Sequence, residues 1–157
     1  MKAKWTHLKP LQIGQFAEYY IKMMLTIHEF DVFTSEVDDK GIDFVCRHNN
    51  GTFWEIQVKS IRTENSNYIF QTQDKFDIAN KNLFLAVVMF TDDQEPNAYL
   101  INAQEWNTPN DLIKYRTYQG LKSKPEYGLN ISKKNMPLLK DYAFEKVLGK
   151  FNSSFKN

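Results

Sequence analysis

The chain has 157 residues, of which 25% are charged and 42% hydrophobic, and its net charge is +1. These values are typical of one globular domain and exclude disordered, collagen-like and fibrous chains. The single cysteine, Cys46, excludes an intrachain disulfide and a multi-cysteine metal cluster. The longest apolar run, 83–90, is too short to span a bilayer, and the basic N-terminus lacks the apolar segment of a secretory signal. We therefore expect a soluble cytoplasmic protein without a membrane partner.

Hydrophobic periodicity predicts a mixed order of helices and strands. Residues 11–27 carry apolar side chains at a period close to 3.6, which predicts a helix. Residues 83–90 are apolar on both faces, which predicts an interior strand covered by helices. The other predicted strands are 30–34, 42–47, 53–61, 68–71, 98–101 and 127–131, and the other predicted helical segments are 74–81, 110–115 and 136–148. This order predicts a mixed α/β domain with a central sheet.

The strand at 53–61 carries a polar face that chemistry or solvent can explain. Because side chains alternate along a strand, Glu55, Gln57 and Lys59 point to one side. A solvated strand face accounts for this pattern without any function. If the face belongs to a functional site, it places a carboxylate, an amide and an ammonium side by side.

The turn between strands 42–47 and 53–61 decides whether Asp43 joins that face. A two-residue turn at Asn50 and Gly51 sets Asp43 opposite Val58. A three-residue loop over 49–51, with Gly51 in the left-handed conformation, sets it opposite Gln57 and pairs Val45 with Glu55. We favour the three-residue loop, because it gathers Asp43 with the polar residues of the next strand.

The predicted first helix has a carboxylate within an apolar line. Leu11, Gly14, Glu18 and two further apolar residues fall on one stripe, and Gly14 would allow a close approach one turn before Glu18. A buried carboxylate needs a cation or hydrogen-bond donors, which Lys59 or a metal ion would supply. The alternative is an ordinary ion pair between Glu18 and Lys22 at the edge of the stripe.

Three motifs of the chain resemble the PD-(D/E)XK nuclease superfamily. They are Gly14-Gln15-Phe16-Ala17-Glu18, Gly41-Ile42-Asp43-Phe44-Val45 and Gln57-Val58-Lys59-Ser60. The resemblance is to small bacterial and phage members and covers about residues 11–102. It implies one nuclease-like domain over 1–157 with a restriction-endonuclease-like core, a central mixed β-sheet flanked by helices in the order αβββαβ. A C-terminal strand–helix extension at about 103–150 and a tail at 151–157 would follow.

The resemblance also implies hydrolysis of phosphodiester bonds with Mg²⁺ or Mn²⁺. By position, Asp43 would be the metal-binding carboxylate and Gln57 would be the second metal ligand. Lys59 would orient or activate the attacking water, and Glu18 would match a helix glutamate that some branches use for metal. The chain departs from the family at Gln57, where a neutral amide replaces the usual carboxylate, so metal affinity should fall. Glu55 or Glu18 would then supply the missing charge.

Three functional hypotheses follow from these patterns. The first is a metal-dependent DNA endonuclease of the restriction, repair or defence type, which acts as a homodimer, with a partner subunit or as a nicking monomer. The second is a catalytically weak or inactive nuclease-fold domain that binds nucleic acid or a partner protein, which the glutamine at position 57 favours. The third is an unrelated α/β domain whose polar strand face is only solvated.

The C-terminal third is basic, with ten Lys/Arg against five Asp/Glu in residues 101–157. Such a surface can bind phosphates, although lysines around helix ends would give the same count. Two tyrosines, Tyr115 and Tyr118, lie among these basic residues and would stack on bases. The candidates for phosphate contacts are Lys114, Arg116, Lys122, Lys124, Lys133 and Lys134.

Overall fold

The computed structural model describes residues 1–34, 36 and 40–155. Its central sheet has five strands in the order β1-β2-β3-β5-β6. The pair β3–β5 is parallel and the other pairs are antiparallel, so the sheet is mixed. The strands of this sheet are β1 (Phe30–Phe33), β2 (Phe44–His48), β3 (Phe53–Arg62), β5 (Leu83–Phe90) and β6 (Asn97–Asn102).

A second, three-stranded antiparallel sheet has the order β4-β8-β7. Its strands are β4 (Tyr68–Thr72), β7 (Ile113–Arg116) and β8 (Glu126–Asn130). The helices are α1 (Pro10–Ile27), α2 (Met136–Leu139) and α3 (Phe144–Ser153). None of the helices in the described ranges combines the length and hydropathy that a membrane span requires.

The central sheet has an apolar core on each face. On one face, Ile56 and Ala86 pack with Ile21 of α1 and Leu148 of α3. On the other face, the alternate residues of the same strands pack against the second sheet, so that Leu85 lies in one cluster with many of its residues. All eight residues of β5 are buried, as the sequence predicts for an interior strand. The helices α1 and α3 cover one face of the sheet, and the second sheet covers most of the other together with Leu139 of α2.

The predicted helix at 74–81 is wrong. Only a 3₁₀ turn, Gln73–Lys75, forms there. The Asp77 side chain accepts a hydrogen bond from the N–H of Ala79, and the Asn80 side chain accepts one from the N–H of Asn82. Such local side-chain bonds compete with helical ones and favour turns. The connection between the parallel strands β3 and β5 therefore carries β4 and a 3₁₀ turn where the order αβββαβ has a helix.

Two predicted segments in the C-terminal third also differ. The helical turn expected at 110–115 is the strand β7, since the side chain of Asn110 accepts hydrogen bonds from the N–H groups of Leu112 and Ile113 and starts the strand with a turn. The helix expected at 136–148 is broken at Ala143, which is extended (φ −51°, ψ 132°) and forms a β-bridge with Tyr99.

The buried stripe of α1 differs from the one that we predict. The buried residues are Ile13, Ala17, Ile21 and Leu25, whereas Leu11 is 88% exposed. A Cβ added at Gly14 would have nothing within 4 Å, so the close approach expected there is absent. The apolar line that we drew through Glu18 is therefore the edge of the helix face and not its centre.

Candidate active site

The β2–β3 hairpin has the register that brings Asp43 to Gln57. Val45 pairs with Glu55, and Gly51 has φ +91° at the end of the three-residue loop. Before β2 begins, the N–H of Asp43 donates to the carbonyl of Ile56 at 2.9 Å, and its Oδ2 accepts from the N–H of Val58 at 2.5 Å. Asp43 is therefore bonded to the residues on both sides of Gln57, and the predicted three-residue loop is confirmed.

Gln57 is a buried amide with an unused oxygen. Its side chain is only 7% exposed, and no described residue donates a hydrogen bond to its Oε1. An unpartnered buried oxygen costs free energy, so this atom is poised to accept a cation, a water or a ligand donor.

Gly41 shapes the backbone beside the amide of Gln57. Its φ is +76°, a conformation that favours glycine. A Cβ built there would lie 3.2 Å from Cβ of Lys75 and 3.5 Å from Nε2 of Gln57. The absence of a side chain at position 41 therefore lets the segment before β2, which contains Asp43, lie close to the turn that carries Lys75.

Lys59 lies on the same face of β3 as Gln57 and opens into the same cavity. The cavity has a volume of about 410 Å³ and lies between β3 and β4. Its lining residues are Gln57, Lys59, Tyr68, Ile69, Phe70, Gln71, Thr72 and Lys75. The ammonium of Lys59 forms no ion pair with a described residue. Gln57 and Lys59 thus share one cavity, and Asp43 is hydrogen-bonded to the main chain on either side of Gln57.

Glu55 is turned to a different cavity. Its Oε2 accepts a 2.7 Å hydrogen bond from Nδ2 of Asn80, and the side chain lines a cavity of about 650 Å³ that also includes Asp74 and Asp77. Gln57 does not line this second cavity. As a metal ligand, Glu55 remains a prediction.

Glu18 lies on α1, the helix that packs on the face of the sheet with Ile56. Its Oε2 is 3.9 Å from Nζ of Lys22, so the ion pair that we considered as the alternative is present. The same ammonium lies 5.2 Å from the ring centroid of Phe44. The role of Glu18 as a metal ligand remains a prediction.

The residues present fit a hard divalent cation only if few protein oxygens hold it and water or substrate supplies the other ligands. Among the described residues, no group of three or more His, Cys, Asp and Glu is placed to hold a metal ion. The oxygens that could serve are the carboxylate of Asp43 and the Oε1 of Gln57, to which no described residue donates a hydrogen bond. Mg²⁺ is commonly held by one or two protein carboxylates with several waters and substrate oxygens, and such a cation tolerates this set.

The basic residues predicted to bind phosphates do not line the cavity of Gln57 and Lys59. Lys124 pairs with Asp74 at 3.0 Å, and Lys134 pairs with Asp111 at 3.2 Å. Lys133 lines a separate cavity, and Lys114 and Lys122 extend from β7 and the following loop. Their roles in binding nucleic acid remain predictions.

Arg116 belongs to a cluster on the outer face of the second sheet. Its guanidinium lies 4.3 Å from the ring centroid of Tyr68, and Nη1 is 4.0 Å from Oε1 of the buried Glu126. The hydroxyls of Tyr68 and Tyr118 both donate to that oxygen at 2.9 Å. Burial, followed by the hydrogen bond to Glu126, raises the pKa of the Tyr68 phenol. Tyr118 is therefore committed to Glu126, whereas Tyr115 is 50% exposed.

We did not predict Gln71 and Lys75 of this cavity as site residues. The alternation along β4 puts Gln71 on the side of the buried Ile69. That signal was readable, but the sequence does not show that this side faces Lys59 across a cavity. Lys75 fell within the helix that we wrongly expected at 74–81.

No protein-family model matches the chain, and no curated protein matches its sequence. The solved structures similar to it include Hjc, a Holliday junction resolvase from Archaeoglobus fulgidus, with a TM-score of 0.54 and 12% identity over 87% of this chain and 95% of the resolvase. A bacterial homing endonuclease has a TM-score of 0.54 and 16% identity over 93% of this chain and 96% of the endonuclease. The chain shares their fold. The predicted central mixed sheet flanked by helices is thereby confirmed.

Proposed function

We propose that this protein is a metal-dependent nuclease that hydrolyses phosphodiester bonds within DNA, as restriction, repair or defence endonucleases do. The observation that carries the proposal is that Asp43 is hydrogen-bonded to the main chain of Ile56 and Val58, the residues on either side of Gln57. Lys59 lies two residues after Gln57 on the same face of β3. The fold supports it, because similar structures include a Holliday junction resolvase and a homing endonuclease. DNA is the proposed substrate because a Holliday junction is a DNA structure.

Asp43 and Gln57 would hold Mg²⁺ or Mn²⁺ through their oxygens. A divalent cation bound there supplies polarisation of the phosphate and lowers the pKa of water. The ammonium of Lys59 neutralises negative charge that develops on the phosphate and orients the attacking water. The main-chain N–H of Val58 donates to Oδ2 of Asp43 and so fixes the position of the carboxylate.

The decisive experiment is a cleavage assay on supercoiled plasmid and on single-stranded DNA, with Mg²⁺, Mn²⁺ or EDTA. The parent should cut only with metal, and Asp43→Asn and Lys59→Ala should each lose about 100-fold or more in rate. Asp141→Asn and Lys150→Ala change the same residue types on the exposed surface and serve as matched controls. Cutting that persists in Asp43→Asn would overturn the proposed site.

Glu18→Gln and Glu55→Gln belong in the same assay. A loss comparable with that of Asp43→Asn would assign the second carboxylate of the metal site. Unchanged rates in both would leave Asp43 as the sole carboxylate of the proposed site.

A second candidate function is a nuclease-fold domain that binds nucleic acid without cutting it. The neutral Gln57 and the absence of a three-carboxylate group among the described residues favour it. Metal-independent DNA binding by a folded parent that cuts no substrate would support this second function.

Cutting both strands of a duplex needs two active sites or two events. We propose that a second copy of the chain or a partner subunit supplies the second cut. Sedimentation of the chain with and without duplex DNA tests this, and linear product from a strictly monomeric complex would contradict it.

A further inference from the structure

The cavity between β3 and β4 has the lining of an anion site. Its described lining includes two ammonium groups, Lys59 and Lys75, and two amides, Gln57 and Gln71, but no carboxylate. The nearby acids Glu55, Asp74 and Asp77 line the other cavity. Gln57 therefore lines a cavity with two ammonium groups, and in β3 it lies between the two residues to which Asp43 is hydrogen-bonded.

Gln71 is the second independent observation. Its side chain is 3% exposed, and within the described part of the chain neither its Oε1 nor its Nε2 has a hydrogen-bond partner. Burying both ends of an amide without partners is costly, and native structures avoid it unless water or a ligand completes the bonds. An amide N–H donor beside two ammonium groups is suited to phosphate oxygens.

Lys75 lies between the two cavities and lines both of them. The 3₁₀ turn Gln73–Lys75 follows β4 directly, and Gly41 lets the main chain of Lys75 approach the segment before β2 that contains Asp43. The Lys75 ammonium, like that of Lys59, forms no ion pair with a described residue. By contrast, Lys124 nearby is already paired with Asp74.

We propose that this cavity binds a phosphate group of the nucleic acid through Lys59, Lys75 and the amide of Gln71. The inference rests on the proposed nuclease function and extends it, because it assigns substrate binding to two residues outside the catalytic motifs. Its volume of about 410 Å³ can accommodate a phosphate and part of its nucleotide. The half-exposed ring of Phe70 at the rim adds apolar surface for the sugar or base.

The test measures binding without metal, so that no cleavage occurs. Calorimetry on the full chain compares inorganic phosphate, a 5′-phosphorylated oligonucleotide and the same oligonucleotide without the terminal phosphate. Lys75→Ala and Gln71→Leu should weaken binding of the phosphorylated oligonucleotide by about tenfold each. Lys81→Ala, an exposed lysine outside the lining, should leave it unchanged. If binding needs the 5′ phosphate, the ligand is a terminal phosphate. If the two oligonucleotides bind equally and both variants weaken their binding, the ligand is an internal phosphodiester.

Other outcomes separate this inference from the proposed function. Metal-dependent cutting with an unchanged KM in Lys75→Ala and Gln71→Leu would overturn the inference and leave the nuclease intact. Phosphate binding lost in both variants, with no cutting by the parent, would sustain the phosphate site and reject the nuclease. If Gln71→Leu is more stable than the parent and binds oligonucleotides equally well, Gln71 binds no phosphate. Lys75→Ala, whose side chain is exposed and forms no ion pair with a described residue, gives the answer if the leucine variant fails to fold.

Discussion

Asp43 and Val58 are joined by a 2.5 Å hydrogen bond from the main-chain N–H of Val58 to Oδ2 of Asp43. The bond fixes one carboxylate oxygen to β3 next to Gln57. A proposed catalytic side chain thus also ends the hairpin pairing, so its functional and structural contributions must be separated by the choice of substitution.

Asp43→Ala should lower the free energy of unfolding by about 1–3 kcal/mol, because it leaves the N–H of Val58 without its acceptor. Asp43→Asn keeps an acceptor oxygen and should lose less, while both variants lose cleavage. Urea denaturation of the three proteins measures the difference. Asp31→Ala, at an exposed carboxylate of β1, should change stability by less than about 0.5 kcal/mol. Equal losses in the Ala and Asn variants would show that the bond contributes little.

Gln57→Glu should increase the affinity for Mn²⁺ by about tenfold or more, since it places a second carboxylate beside Asp43. Without metal, the same variant should be less stable than the parent, because a buried carboxylate without a partner lies next to another. Thermal melts with and without Mn²⁺ measure both effects, and the metal should raise the Tm of the variant more than that of the parent. Gln104→Glu, at an exposed position, is the control. A variant that metal does not stabilise would argue against a cation at Gln57.

Gly128→Ala should destabilise the second sheet. A Cβ at this position would lie 2.0 Å from Oη of Tyr68, whose ring crosses the glycine to bond with Glu126. We expect a loss of about 1–3 kcal/mol, measured by chemical denaturation. Gly149→Ala is the matched control, because nothing lies within 4 Å of the added Cβ in α3. That control should gain up to about 1 kcal/mol from helix propensity. If Gly128→Ala has the same free energy of unfolding as the parent, the Tyr68 ring can move away from the added Cβ.

Cys46 should be inert in the folded protein. Its side chain is fully buried, and burial raises the pKa of the thiol from its ordinary value of 9.0 to about 12. A thiol reagent at about pH 8 should label the unfolded chain and leave the native one unmodified. Because the folded pKa is raised, the contribution to stability is fully present below about pH 9 and is lost as pH rises towards 12. Rapid labelling of the native protein would contradict the burial of this side chain.

The site was partly predictable from the sequence, because its central part is a local hairpin. The Asn-Asn-Gly loop sets the register that brings Asp43 to Gln57, and strand alternation puts Lys59 on the same side as Gln57. Gln71 and Lys75 were missed, since their distance from Lys59 depends on how the second sheet packs on the first.

By itself, the sequence determined α1, the hairpin register and the interior strand β5, because period, turn chemistry and burial on both faces are properties of short segments. Only the tertiary structure decided that β4 leaves the central sheet to pair with β8 and covers the polar face of β3. It also decided that Ala143 breaks a helical pattern to bridge Tyr99. Both outcomes depend on partners more than 40 residues away in the sequence, and hydrophobic periodicity within one segment carries no information about them.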